Sequence, residues 1–164
     1  MKQLLSLLLC LSIIVPSMAK KEQRKQNVFP DGTPISEWFL QTKVVHPDSL
    51  GKKYDLSDYG IESNPHIVQT QKIQKIIDEA AANGGGVIYI PEGIYKSGSL
   101  FFKQGTHLYL SKGATLLGSE NIMDFPLLMT RIEGEYCKYF GALINADGLD
   151  TFTISGKGTI DGNG

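Results

Sequence analysis

Apolar and polar residues change rhythm part-way along this chain. Ile67, Ile73, Ile76, Ile77 and Ala80 recur mostly at three- and four-residue steps, the spacing of one apolar stripe on an amphipathic helix. Asn64 suits the N-cap of that helix and Pro65 its first turn, while Gly84 supplies a stop. After Gly84-Gly-Gly86 the period becomes two. Val87-Ile-Tyr-Ile90 predicts a strand ended by Pro91, and a second strand runs from Tyr95 to Phe102 with a break at Gly98. Upstream, Tyr54-Asp-Leu56-Ser-Asp-Tyr59-Gly60 also alternates, which predicts a half-buried strand. Asp31-Gly-Thr-Pro34 reads as a turn. Ile35 to Phe39 reads as one helical turn that buries Trp38 and Phe39.

The β-rich half repeats itself. Leu108-Tyr-Leu-Ser-Lys-Gly-Ala-Thr-Leu-Leu-Gly118 lies over Phe152-Thr-Ile-Ser-Gly-Lys-Gly-Thr-Ile-Asp-Gly162 at an offset of 44, placing Leu108 over Phe152 and Ser111 over Ser155. With one residue inserted the match extends back to Ser99, setting Leu100-Phe101 against Leu143-Ile144 and Gly105 against Gly148. Short strands joined at glycine corners and repeated in this way predict a parallel β-helix, in which each coil stacks like residues on like. An antiparallel sandwich would explain the alternation but not the self-match. Residues 119–141 contain Pro126, mixed charges and no period of two, so they are expected to form a loop thrown out between coils. The 44-residue offset is then one coil plus that insertion. The helix before the first coil is expected to cap the open end of the stack, where strand edges and apolar core would otherwise meet water.

Composition narrows the setting. The chain has 164 residues, 41% of them hydrophobic, and a net charge of −1, so no basic stripe invites nucleic acid. Lys2, the apolar run Leu4 to Val15 and the small residues of Ser17-Met-Ala19 form a secretory leader, with cleavage expected after Ala19. The run is too short for the ~20 residues of a membrane span, so no membrane attachment is expected after cleavage. Leu9 before Cys10 is too bulky for a lipidation site. Removing the leader leaves Cys137 as the one cysteine, without a disulfide partner, and no Asn-x-Ser/Thr acceptor occurs. The expected address is secreted or periplasmic, in a bacterium. Residues 1–19 are thus read as signal peptide, 20–53 as linker and N-terminal extension with a solvated stretch at 20–27, and 54–164 as cap and first coils.

These residues resemble glycoside hydrolase family 28, the polygalacturonases and related pectin-degrading enzymes. The likeness runs from Tyr54-x-Leu-x-Asp-Tyr-Gly60 through Ile73-Gln-Lys-Ile-Ile-Asp-Glu-Ala-Ala-Ala-Asn-Gly-Gly-Gly-Val-Ile-Tyr-Ile-Pro91 and Gly98-Ser-Leu-Phe-Phe102. It continues in Lys112-Gly-Ala-Thr-Leu-Leu-Gly-Ser119 and closes in Ile154-Ser-Gly-Lys-Gly-Thr-Ile-Asp-Gly-Asn-Gly164. One departure is Ile61-Glu-Ser-Asn-Pro-His66, where many relatives are acidic and rich in Thr. The resemblance implies a right-handed, pectin-lyase-like parallel β-helix that hydrolyses α-1,4-galacturonide links with inversion. It implies a pectic polysaccharide or oligogalacturonide as partner, no metal or other cofactor, and a monomer at full length. The family's Asn-Thr-Asp, Asp-Asp, Gly-His-Gly and Arg-Ile-Lys motifs do not occur here. The chain is therefore expected to be the N-terminal piece of a longer enzyme, with its catalytic residues beyond Gly164.

Within the chain the chemistry is thin. Asp161, Asp147 and Asp58 are expected to be turn or surface carboxylates. Arg131, Glu133 and Lys138 lie in the 119–141 insertion and are the candidates for substrate contact. His46, His66 and His107 are scattered, and Cys137 lacks a base and is expected to be a buried thiol. Two other classes stay open: a β-helix lyase or epimerase-like protein, and a non-catalytic carbohydrate-binding β-helix such as an adhesin. Without further coils, residues 20–164 are expected to aggregate or stay partly unfolded and to hydrolyse no polygalacturonate.

Overall fold

A computed structural model describes residues 28–40 and 43–164. The leader at 1–19 and the linker at 20–27 lie outside the described residues. Residues 28–40 belong to a separate unit from Lys43–Gly164. In the first, the Thr33 amide donates to Asp31 Oδ1 at 2.9 Å and closes the expected turn. A short 3-10 helix follows at Glu37–Leu40. Trp38 and Phe39 pack edge to face on each other and remain 68% and 65% exposed, not buried as the sequence suggests.

Residues 43–164 wind in coils. Strand β1 is Lys53–Asp55, β2 Asn64–Val68, β3 Gly86–Ile90, β4 Gly93–Ser97, β5 Leu100–Phe101, β6 Thr106–Leu110 and β7 Ala114–Gly118. After them come β8 Leu127–Ile132, β9 Glu135–Phe140, β10 Ile144–Asn145, β11 Ile154–Gly156 and β12 Thr159–Asp161. Three parallel sheets collect these strands in the orders β1-β3-β6-β11, β2-β4-β7-β12 and β5-β10. Apart from β8 and β9, which pair with each other, strands that follow one another along the chain fall in different sheets, and each pairs with a strand one coil away. That is a parallel β-helix.

Side chains stack in columns along the coil. Leu108 lies between Ile88 and Ile154 in the first sheet, and Leu116 between Tyr95 and Ile160 in the second. Ile88, Leu108 and Leu116 are fully buried and Tyr95 nearly so. Burying such ladders stabilises the coil by ~25 cal/mol per Å² of apolar surface removed from water. In the last coil Ile154 and Ile160 are 48% and 44% exposed.

The register corrects two expectations. Leu108 pairs with Ile154 and Tyr109 with Ser155, an offset of 46, whereas Thr115 pairs with Thr159 at 44. The later corner is two residues shorter, because Gly156 and Thr159, which pair with Leu110 and Thr115, are three steps apart along the chain, whereas Leu110 and Thr115 are five apart. Gly156 permits this: at φ +115 it presses against Leu110, and an added Cβ would collide with the Leu110 carbonyl oxygen. That oxygen accepts the amides of both Lys157 and Gly158, at 2.9 and 3.2 Å. A shift of two residues leaves every side chain on its own face of the sheet. In the third sheet Leu100 pairs with Ile144 and Phe101 with Asn145, so the inserted residue is not needed there.

Helix α1 spans Thr70–Ala82, starting later than Asn64-Pro65 suggests. Asn64 instead accepts the His66 amide at 2.8 Å. Pro65 lies in β2 at the end of its sheet, where a missing N–H leaves no ladder bond unmade. Ile67 is therefore a strand residue, 49% exposed, while Ile73, Ile76, Ile77 and Ala80 form the buried stripe. At the other end Gly84 donates to Ala81 O and Gly85 to Ala80 O, at 3.2 and 2.8 Å. These paired bonds, with Gly84 at φ +91, are a Schellman ending. The half-buried strand expected at 54–60 is only β1, followed by a 3-10 helix at Leu56–Tyr59. Asp55 caps that helix, accepting from Ser57 N and Oγ.

Candidate functional site

The expected loop at 119–141 is instead a short 3-10 helix at Ile122–Asp124 and an antiparallel hairpin, β8 and β9. The two residues between the strands, Glu133 and Gly134, have φ of +51 and +96, as the tight turns that match strand twist require. The alternation went unseen because apolar residues point to both faces. Arg131 opposes Tyr136 and Met129 opposes Lys138, so side-chain alternation puts these four on one face, together with Leu127 and Phe140. Leu128, Thr130, Ile132, Glu135, Cys137 and Tyr139 occupy the other.

The three candidates separate on this scaffold. Arg131 and Lys138 share a face and are exposed. Arg131 Nε donates to the Gly134 carbonyl at 3.2 Å, bracing the turn. Glu133 sits in the turn itself. Tyr136, 79% exposed between the two cations, is a neighbour that sequence reading missed. Its signal was the Glu133-Gly134 pair, which fixes the register. Cys137 is half-exposed on the opposite face, not buried.

Beneath the hairpin lies a half-open cavity of about 930 Å³, between β8, β9 and the third sheet. Phe101, Leu128, Tyr139 and Phe140 supply its apolar walls, and Asp147 is its one charged lining residue. Asn145 lines it too, but its side chain is occupied, donating to Leu100 O and Ala142 O and accepting from Ala142 N.

Among the described residues the remaining carboxylates and histidines gather at most in pairs, such as His46 Nδ1 with Asp48 Oδ2 at 3.2 Å. Asp161 accepts the Asn163 amide at 2.8 Å, as a turn aspartate does. Asp58 is exposed. Burial alone would raise the Asp55 carboxyl, but hydrogen bonds from Ser57 and Lys53 outweigh it and hold the group below the usual carboxylate range. His107, on β6, is lowered by burial, and its Nδ1 accepts the Thr153 amide at 3.3 Å. Among the described residues no three of His, Cys, Asp and Glu come together as metal ligands do. Beside His107, Tyr89 and Tyr109 stack with centroids 5.4 Å apart, and Lys53 Nζ lies 4.6 Å from the Tyr89 ring centre.

No family model matches the chain. The exo-poly-alpha-D-galacturonosidase of Dickeya chrysanthemi is 33% identical over 147 residues, covering 85% of this chain and 24% of that protein. The solved structure of the family 28 exopolygalacturonase of Yersinia enterocolitica superposes with a TM-score of 0.60 at 32% identity, covering 69% of this chain and 21% of that one. The chain belongs with the polygalacturonases of glycoside hydrolase family 28. The plasmin and fibronectin-binding protein A of Streptococcus pneumoniae is similar too, 37% identical over 129 residues, covering 76% of this chain and 17% of that protein. The chain thus spans about a quarter or less of the length of these family 28 and streptococcal relatives.

Proposed function

We propose that this chain forms the capped first coils of a polygalacturonase-type glycoside hydrolase that cleaves α-1,4-galacturonide links with inversion of configuration. The 33% identity over 85% of the chain to an exo-poly-alpha-D-galacturonosidase carries the reading. Such a mechanism places one carboxylic acid at the leaving oxygen and carboxylate ~6.5–9.5 Å away to activate water. Asp161 is engaged in a turn, and Asp147 has no second carboxylate among the residues lining its cavity. The catalytic carboxylates are assigned to coils outside residues 1–164, and this segment to scaffold and substrate contact.

In that scaffold α1 acts as the cap of a right-handed coil. Its Gln74 supports the role, because Oε1 accepts the Phe101 amide at 2.8 Å and Nε2 donates to the Phe101 carbonyl at 2.9 Å. One side chain thus satisfies a strand edge as a neighbouring strand would. Residues 1–19 direct export, with cleavage after Ala19. The test is the open reading frame that contains this chain. Asn-Thr-Asp and Asp-Asp motifs in its following coils, and release of inverted galacturonate by the expressed product, are expected. A frame lacking both motifs overturns the hydrolase.

A second reading, adhesion without catalysis, is favoured by the likeness to the streptococcal plasmin and fibronectin-binding protein. Saturable capture of either host protein, with no release of reducing ends from polygalacturonate, would select it.

A further inference from the structure

We propose that the hairpin face carrying Arg131, Tyr136 and Lys138 is a binding surface for an anionic uronate polymer; the choice of polymer rests on the polygalacturonase reading above. The two strands divide the hairpin's charge by face. Register and alternation place Arg131 and Lys138 on one side with Leu127, Met129, Tyr136 and Phe140, and no carboxylate among them. Glu135 points to the other side and Glu133 lies in the turn. Arg131 and Lys138 are diagonal neighbours across the ladder, about 7–8 Å apart at their bases, and Tyr136 opposes Arg131 directly. Neither cation is in a salt bridge among the described residues.

This combination selects a chemistry. Two cations without a carboxylate partner on one face attract a chain with repeated carboxylates. An exposed tyrosine between them offers a flat, amphipathic ring for the apolar side of a sugar. A neutral polymer would leave the cations unused, and a flexible polyanion without rings would leave Tyr136 unused. The cavity on the hairpin's other face carries Asp147 and no cation, so the same carboxylates are not drawn there. Arg131 is held by the Gly134 carbonyl, which reduces the freedom lost on binding.

The test is equilibrium binding of the protein expressed from the whole open reading frame that contains this chain, to polygalacturonate, to fully methyl-esterified pectin and to polyglutamate. Arg131→Ala with Lys138→Ala is expected to weaken polygalacturonate binding about tenfold, in line with two exposed charge contacts. Tyr136→Ala should weaken it by a smaller factor, and added salt should weaken it throughout. Esterified pectin and polyglutamate should bind more weakly than polygalacturonate. Glu135→Gln, on the opposite face, should bind as wild type and control for folding. Wild-type affinity in the double variant overturns the site while leaving the polygalacturonase reading intact, since hydrolysis is read separately by reducing ends. Equal binding of polyglutamate with no effect of Tyr136→Ala reduces the face to general charge attraction and overturns the assignment to a uronate.

Discussion

Gly156 and Gly84 both have left-handed φ, for different reasons. An added Cβ at Gly84 meets nothing within 4 Å, whereas at Gly156 it would strike the Leu110 carbonyl. Gly84→Ala should therefore cost only the ~1–2 kcal/mol of left-handed strain. Gly156→Ala should cost more than about 3 kcal/mol, or prevent the last coil from docking, because backbone must move. Urea unfolding of the two variants at low protein concentration distinguishes them. His107 sets a pH dependence. Its pKa is lowered in the fold, so the unfolded chain takes up the proton first as pH falls. Stability should be complete above the ordinary histidine range and fall as pH drops through it. His107→Gln should flatten that slope in melts followed from pH 7.5 to 5. Neither feature is evident from the sequence: a histidine facing outward from a strand shows nothing of what covers it, and a glycine shows nothing of what presses on it.

Helix α1 was legible as a helix, but its start was not. The apolar stripe is a local property, fixed by 3.6-residue geometry, and Ile73, Ile76, Ile77 and Ala80 all bury as the stripe demands. Asn64-Pro65 is chemically suited both to a helix start and to an edge strand, and only pairing with β4 decided for the strand. The helix is held by more than its stripe. Gln74→Ala would leave the amide and carbonyl of Phe101 without their partner, and a loss of about 1–3 kcal/mol is expected. Ile77→Ala, which empties a fully buried site, should cost about 2–5 kcal/mol. Amide exchange at Phe101 separates the two variants, since Gln74→Ala should release that proton with little effect on the buried amides of β3. The hairpin was missed for a related reason. Both of its faces carry apolar side chains, so period-two contrast is lost and only the Glu133-Gly134 turn remains as a signal.

Over the whole coil, columns of like residues give the stack its stability, and each column is as dry as its neighbours make it. Leu108 and Leu116 lie between coils and are fully buried, but Ile154 and Ile160, in the same columns, are about half exposed. The chain on its own is expected to self-associate through this surface. Light scattering that rises with concentration, together with binding of a hydrophobic dye lost in Ile154→Asp with Ile160→Asp, would check it. A monomer that binds no dye would show that the exposed columns are not adhesive.

What the sequence determined by itself was the coil: alternation, glycine corners and self-similarity are properties of short segments, and they specify repeated parallel strands whatever the exact register. Packing alone decided that register. The 44-residue match is correct for β7 with β12 but shifts by two residues for β6 with β11, because the later corner closes directly on Leu110 and bypasses a residue pair. Packing also decided which insertion residues share a face. Arg131, Tyr136 and Lys138 become neighbours only when β8 meets β9, and cross-strand pairing is a contact between segments that neither segment encodes alone.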